Sequence, residues 1–158
     1  MKLIFKTIVA AVDVNDDLGH AVLKTAADLA ERLGARLHVV DAWPKLAGVG
    51  FPYARRAEIA ELKKHESERQ KRLAELEARV ARVALNAIVM APVGDEADTL
   101  ETYLENEKAD LLVIGSHQKG PLKKLLSGSV SSELIHDAPC AVLLVNKAFA
   151  ERTTEHAA

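Results

Sequence analysis

The chain has 158 residues, a length that fits one domain built around one hydrophobic core. Its residues are 49% hydrophobic and 28% charged, and the formal net charge of −2 argues against nucleic acid or an anionic membrane as a partner. The single cysteine, Cys140, excludes an internal disulfide and favours a reducing compartment.

Residues 6–13 form a β-branched, almost wholly apolar run, which predicts a buried parallel strand ending at Asp13. The N-terminal apolar stretch is too short for a membrane helix and lacks a signal-peptide cleavage region, so we expect a cytoplasmic protein. Asn15 and Asp16 offer an N-cap for a first helix with apolar residues at helical spacing. Gly34 supplies the left-handed residue that ends this helix.

Residues 36–42 predict a second strand, and a loop with two glycines and two prolines follows it. This loop carries Trp43, Phe51 and Tyr53. The three rings either line a ligand or tuck under the domain, and we favour the tucked arrangement because large apolar rings seldom stay exposed.

Residues 54–85 are rich in charge and free of glycine and proline, which predicts a long helix. Its charges are typical of a solvated face. A coiled coil is the alternative, but the sequence has no sustained heptad repeat. The residues expected to point inward are Leu62, Leu73, Leu76, Val80 and Val83.

The second half of the chain continues the alternation of strands and helices. Five such alternations predict a parallel sheet with helices on both faces and right-handed crossovers. We expect one domain over residues 1–147 and a flexible polar tail over 148–158. The further elements are strands at 87–91, 110–114 and 140–145, a helix from Gly94-Asp95 with Ala97, Leu100, Tyr103 and Leu104 inward, and a helix from about 129 to 137.

Residues 111–130 combine a short apolar strand, a loop with three glycines and the apolar start of a helix. Glycine lets the backbone come close to a ligand, and the free N–H groups of a first helical turn point at an anion. The pattern therefore predicts a phosphate site. Glycines that serve turn geometry alone would give the same pattern.

The run GSHQKGPLKKLLSGSVS at 115–131 resembles the nucleotide loop of the universal stress protein family. ATP-binding members of that family carry G-x2-G-x9-G-[ST]. Gly115 matches the first glycine, and Gly128 and Ser129 match the last pair at the right distance. Gln118 stands where the middle glycine is expected, and its side chain would either block the phosphate path or donate its amide to an anion.

The resemblance covers nearly the whole chain, including the runs KTIVAAVD, LHVV, ADLLVIGSH and APCAVLLV. It implies an α/β three-layer sandwich with five parallel strands in the order 3-2-1-4-5. This is the Rossmann-like, adenine nucleotide alpha hydrolase-like architecture. It also implies a homodimer formed through the last strand, residues 142–145, which would cover an apolar edge.

The resemblance further implies an ATP site in which Asp13 accepts hydrogen bonds from the ribose and Val39 packs on the base. Any Mg²⁺ would arrive with the nucleotide and bind mostly phosphate oxygens and water. The phosphates would be held by backbone N–H groups at Gly115, Gly128, Ser129 and Val130, within a loop that also contains Ser116, His117 and Gln118.

No catalytic arrangement accompanies this loop. The six histidines show no metal-binding spacing, and Ser129 and Ser131 have no histidine placed for a triad. We expect at most a slow ATPase. His117 either reaches a phosphate or is simply solvated, and His38 fits a hydrogen-bonded core or rim residue. Cys140 fits a small buried residue better than a nucleophile.

Two functions of different kinds therefore remain. The first is a regulator of the stress response that binds ATP, with no nucleic-acid or membrane partner. The second is a stress adaptor of the same fold that binds no nucleotide and acts through dimerisation and protein partners. A transferase or hydrolase that uses the same loop is a third, weaker reading.

Overall fold

The computed structural model of the chain describes residues 5–46, 56–116 and 135–155. Strands and helices alternate through these segments. Residues 135–137 are helical, and the rest of the helix predicted at 129–137 lies outside the described residues. The elements are β1 (Thr7–Ala11), α1 (Gly19–Leu33), β2 (Arg36–Val40), α2 (Arg56–Ala81), β3 (Ile88–Met90), α3 (Glu96–Asn106), β4 (Leu111–Gly115), β5 (Ala141–Val145) and α4 (Lys147–Glu155).

The five strands form one parallel sheet in the order β3-β2-β1-β4-β5. β1 lies at the centre, where Ile8 pairs with Leu37 of β2 and with Leu111 of β4. Every residue of β1 and β4 is buried, as continuous apolar strands in a covered parallel sheet should be. The predicted fold class and strand order are confirmed.

The core has two halves, one on each face of the sheet. On one face, Ile8 packs with Val22 of α1 and Leu76 of α2. On the other face, Val9 packs with Leu100 of α3. Side chains therefore alternate along β1 between the two faces of the sheet and pack against the helices on both faces.

α1 begins at Gly19, two or three residues later than an N-cap at Asp16 or Asn15 would place it. Leu18 occupies the cap position and makes no side-chain capping hydrogen bond. Asp16 lies in the turn before the helix, where its Oδ1 accepts from the N–H of Leu18 at 2.9 Å. The predicted N-cap is therefore wrong. The predicted end is confirmed, since Gly34 follows the helix with a left-handed φ of 64°.

Only part of α2 rests on the sheet. Leu76 and Val80 are fully buried, whereas Leu62 and Val83, both predicted to point inward, are exposed. The 26-residue helix is about 39 Å long, and a five-residue strand spans about 17 Å, so the sheet can cover only a part of the helix. None of the described helices has the length and apolar composition that a membrane crossing requires.

The last described element, α4, differs from the flexible tail expected after residue 147. Asn146 starts it, because its side-chain Oδ1 accepts from the N–H of Phe149 at 2.8 Å. Phe149 then faces the same groove as Leu29 of α1 and Leu143 of β5. A capped helix therefore occupies a segment whose composition alone suggested a tail.

Candidate functional site

The candidate site lies at the carboxyl edge of the sheet, where β1 and β4 end side by side. Ala10 pairs with Val113 in the parallel ladder. Continuing this register by three residues brings Asp13 level with Ser116, one residue beyond the last residue of β4. The expectation that Asp13 and the start of the glycine loop share one edge is borne out, and such edges are where ligands bind in open parallel sheets.

Asp13 is buried, and its carboxylate is held by one oxygen. Oδ1 accepts from the backbone N–H of Asn15 at 2.8 Å and from Nη2 of Arg72 at 2.8 Å. Both hydrogen bonds end on this atom, and no donor in the described part of the chain reaches Oδ2. The side chain is therefore oriented through Oδ1 and retains acceptor capacity on Oδ2.

Asp41 holds the same arginine from the neighbouring strand. It follows β2 directly and is buried. Nε of Arg72 donates to Oδ2 of Asp41 at 2.5 Å, and Nη2 donates to Oδ1 at 2.8 Å, which is a two-pronged ion pair. Asp13, Asp41 and Arg72 thus form one cluster, called here the Asp–Arg cluster.

The pKa of Asp41 is raised to about 6. Burial is the main cause, because it disfavours the charged carboxylate, and the nearby charge of Asp13 acts in the same direction. The hydrogen bond and the positive charge of Arg72 oppose this rise without cancelling it. Two buried carboxylates share one guanidinium in this cluster.

The indole ring of Trp43 packs against Arg72 of this cluster. The Cζ atom of Arg72 lies 5.3 Å from the centroid of the Trp43 ring, within the range of a cation–π contact. Nε1 of Trp43 donates to Nδ1 of His65 at 3.3 Å. Trp43 is half-buried against α2 rather than tucked under the domain, and Phe51 and Tyr53 lie outside the described residues.

Gly115 and Ser116 both contact neighbouring elements: Gly115 packs against α1, and Ser116 is hydrogen-bonded to the end of β5. A Cβ at Gly115 would lie 3.3 Å from Cβ of Leu18 and 3.4 Å from Cγ2 of Val22, so glycine lets the start of α1 sit close to β4. The N–H of Ser116 donates to the carbonyl of Val145 at 2.8 Å. A hydrogen bond that Ser116 donates to a ligand must therefore come from its hydroxyl, since its N–H extends the sheet.

Val39 is 0% exposed and packs in the core on the α1 and α2 face. The contact with a base that the resemblance implies for this residue stays a prediction. His117, Gln118, Gly128, Ser129 and Val130 lie outside the described residues.

His38 and Cys140 lie on the α3 side of the sheet, away from the Asp–Arg cluster. His38 is a core residue whose Nδ1 lies 2.9 Å from the hydroxyl of Tyr103. Its Nε2 has no partner among the described residues, so the expected full hydrogen bonding is wrong for one ring nitrogen. Cys140 is partly buried, and burial raises the pKa of its thiol, which disfavours the nucleophilic thiolate.

A sequence model of the universal stress protein family matches residues 4–146. The chain belongs to the universal stress protein family. A universal stress protein of Thermus aquaticus is 34% identical over 142 residues, which are 89% of this chain and 98% of that protein. The resemblance drawn from the loop and the strands is confirmed.

Solved structures of universal stress proteins share the fold. UspA from Lactobacillus plantarum superposes with a TM-score of 0.69 at 21% identity and covers 91% of this chain and 99% of its own. A universal stress protein in complex with cAMP gives 0.63 at 23% identity, covering 89% and 97%. The protein from Archaeoglobus fulgidus in complex with dAMP gives 0.55 at 23%, covering 90% and 98%.

Asp41 and Arg72 of the Asp–Arg cluster are not among the site residues predicted from the sequence. Asp41 has a readable signal, because Val40-Asp41 repeats at the end of the second strand the Val12-Asp13 pattern at the end of the first. Arg72 has only a partial signal, because it stands four and eight residues before Leu76 and Val80 on the inward face of α2, and this spacing does not name its partners. The prediction of a solvated charged face is wrong for Arg72, whose side chain reaches both aspartates.

Proposed function

We propose that this universal stress protein binds an adenine nucleotide, ATP, as a regulatory ligand at the carboxyl ends of β1 and β4. The observation that carries the proposal is the carboxylate of Asp13, which is fixed through Oδ1 and open to a donor at Oδ2. Two universal stress proteins of the same fold have been solved with cAMP and with dAMP, which supports an adenine nucleotide as the ligand class.

A ribose suits this carboxylate chemically. Its hydroxyl groups are hydrogen-bond donors, and a buried, ionised oxygen makes stronger hydrogen bonds than a neutral acceptor does. Asp13 lies level with Ser116, and the sequence after Ser116 leads to the Gly128-Ser129 pair predicted to hold the phosphates. A nucleotide with its sugar on Asp13 would direct its phosphates toward that loop.

Binding can be tested on the purified protein before any variant is made. We expect mass spectrometry to find adenine nucleotide released from the protein, and calorimetry to give micromolar affinity for ATP. Asp13→Asn keeps the size of the side chain but removes its charge, and we expect it to weaken ATP binding about 10-fold to 100-fold, the loss of a charge-assisted hydrogen bond.

Asp28→Asn is the matched control, because Asp28 is an exposed residue of α1 that pairs with Arg32. It should leave the affinity for ATP unchanged. No heat of binding up to millimolar ATP would overturn the proposal. Unchanged affinity in Asp13→Asn would show that the sugar lies elsewhere.

A separate observation supports dimerisation, which is compatible with nucleotide binding. β5 is an edge strand, and Leu143 and Leu144 of this strand are exposed. An apolar strand edge invites pairing with a second strand. We propose that two copies of the chain pair through β5, and that nucleotide binding and dimer formation coexist in one protein.

A further inference from the structure

The Asp–Arg cluster joins the candidate sugar-binding carboxylate to a residue 59 positions further along the chain. We propose that Arg72 is a positioning residue for the nucleotide sugar: it fixes Asp13 through Oδ1 so that Oδ2 meets the ribose hydroxyls. This inference rests on the proposed nucleotide site. It adds a residue of α2 to a site otherwise built from the ends of β1 and β4.

The division of hydrogen bonds explains why Arg72 orients Asp13 rather than covering it. The guanidinium presents its two-pronged face, Nε and Nη2, to Asp41. A second hydrogen of Nη2 goes to Oδ1 of Asp13. Asp13 therefore receives one hydrogen bond from the arginine, on Oδ1, and no donor among the described residues reaches Oδ2.

The charges of the Asp–Arg cluster also support a role for Arg72 in positioning Asp13. Two buried carboxylates side by side repel each other, and the guanidinium between them offsets that repulsion. With Arg72 in place, Asp13 can accept from a sugar as an ionised carboxylate. Trp43 lies against the guanidinium at 5.3 Å and limits its movement out of the cluster.

The measurable consequence concerns recognition of the sugar hydroxyls. A carboxylate held in this way should bind ATP more tightly than 2′,3′-dideoxy-ATP, which has the same base and phosphates. We expect a ratio of about tenfold or more between the two dissociation constants in the parent protein. This ratio isolates the sugar contact from the phosphate contacts.

Calorimetric titration of both nucleotides into Arg72→Met tests the proposal. Without the guanidinium, Asp13 loses its orientation and its charge compensation, so the ratio should fall to within about twofold of one. Arg69→Met is the matched control, because Arg69 lies one turn away on α2 with similar exposure (22% against 17%) and contacts Glu66 and Ala91 instead. The control should keep the parent ratio.

A merely structural role for Arg72 predicts a different result, in which Arg72→Met weakens both nucleotides in proportion and keeps the ratio. That result would overturn the inference while leaving the proposed function intact. In Asp13→Asn, whose ratio is already low, adding Arg72→Met should change the ratio no further if the arginine acts through Asp13.

Asp41→Asn provides a second route if Arg72→Met does not fold. The amide weakens the two-pronged pair, so the guanidinium is free to turn its fork to Asp13 and compete for Oδ2. The ratio should then fall at least threefold, and an unchanged ratio would contradict the inference.

If the parent protein binds no ATP, the proposed function fails and this inference fails with it. If the parent binds both nucleotides equally, only the sugar contact and Arg72's part in it are overturned.

Discussion

At the scale of single residues, His38 is a buried histidine whose two ring nitrogens differ in their hydrogen bonding. Nδ1 is paired with Tyr103, whereas Nε2 has no partner among the described residues. Burial is the main cause that lowers the pKa of His38 below 6.5, with Arg36 acting in the same direction and Glu107 against it. His38 is therefore neutral in the folded protein at pH 7, and charging it opposes folding.

His38 should make stability depend on pH. As pH falls through about 6.5, the unfolded chain takes a proton on this histidine while the folded chain does not, so the free energy of unfolding decreases. His38→Gln cannot take this proton. The free energy of unfolding of the parent minus that of the variant should therefore fall between pH 8 and pH 5, by at most about 1.4 kcal/mol per pH unit.

Urea denaturation at several pH values measures this difference. Asp41 acts in the opposite direction, because its raised pKa lets the folded state take a proton from about pH 6 downward, before the unfolded state does near 3.8. That contribution is common to both proteins and cancels in the difference. Parallel pH curves for parent and variant would contradict the role assigned to His38.

The residues of the site differ in how far the sequence could predict them. Asp13 could be found, because it ends an apolar strand whose neighbours match a known pattern. The partnership of Arg72 with Asp13 and Asp41 could not, because it spans 59 and 31 positions and depends on which turn of α2 passes the sheet edge. Helical spacing places Arg72 on the face of Leu76 and Val80, but it does not tell which side chains of other elements that face meets.

At the scale of elements, the start of α1 is packed directly against the backbone of Asp13. A Cβ at Gly19 would lie 2.6 Å from the carbonyl oxygen of Asp13 and 3.3 Å from Cγ1 of Val12. The nearest atom belongs to the backbone, so no side-chain rotation could relieve the contact. Gly19 therefore sets how closely the first helix approaches the candidate site.

Gly19→Ala should displace either α1 or the segment at Asp13. We expect a loss of about 1–3 kcal/mol in the free energy of unfolding, as overpacking usually causes, and weaker ATP binding because Asp13 moves. Denaturation and calorimetry measure the two effects separately.

Gly34→Ala at the other end of α1 is the control. Nothing lies within 4 Å of its added Cβ, but its φ of 64° is left-handed, which costs about 1 kcal/mol for alanine. This control should lose stability without losing affinity. A Gly19→Ala protein with the stability and affinity of the parent would show that the contact relaxes freely.

Helices and strands could be predicted where residues close together in the sequence determine them. The strands were found because each is a short apolar run, and the end of α1 was found because Gly34 is adapted to a left-handed conformation. The start of α1 was missed because contacts of Asp13 and Asp16 in the preceding turns decide it. α4 was not predicted, because the polar, alanine-rich composition of this segment hides the cap at Asn146 and the place of Phe149 beside the groove of α1 and β5.

At the scale of the whole molecule, the two edges of the sheet are unlike. β3 and β5 are the edge strands, and β3 has three residues against five in β5. Short edge strands resist unwanted pairing, whereas a longer apolar edge is suited to it. The asymmetry favours association through β5 and makes a closed pair of two chains the simplest assembly.

Leu144→Lys should convert the proposed dimer into a monomer, because a lysine on an edge strand opposes strand pairing. Leu144 is 45% exposed, so the change should leave the fold intact. Leu85→Lys is the control, since Leu85 is 91% exposed and precedes β3 at the opposite edge. Sedimentation equilibrium decides the matter, and a monomeric parent or a dimeric Leu144→Lys would refute association through β5.

One further consequence follows from the place of Trp43. It is the only tryptophan of the chain, so the indole emission of the protein comes from one position, between the guanidinium of Arg72 and the imidazole of His65. The protein thus carries its own optical probe beside the cluster. Rapid mixing with a nucleotide can be followed by intrinsic fluorescence without an attached dye, and Arg72→Met changes the surroundings of the same fluorophore.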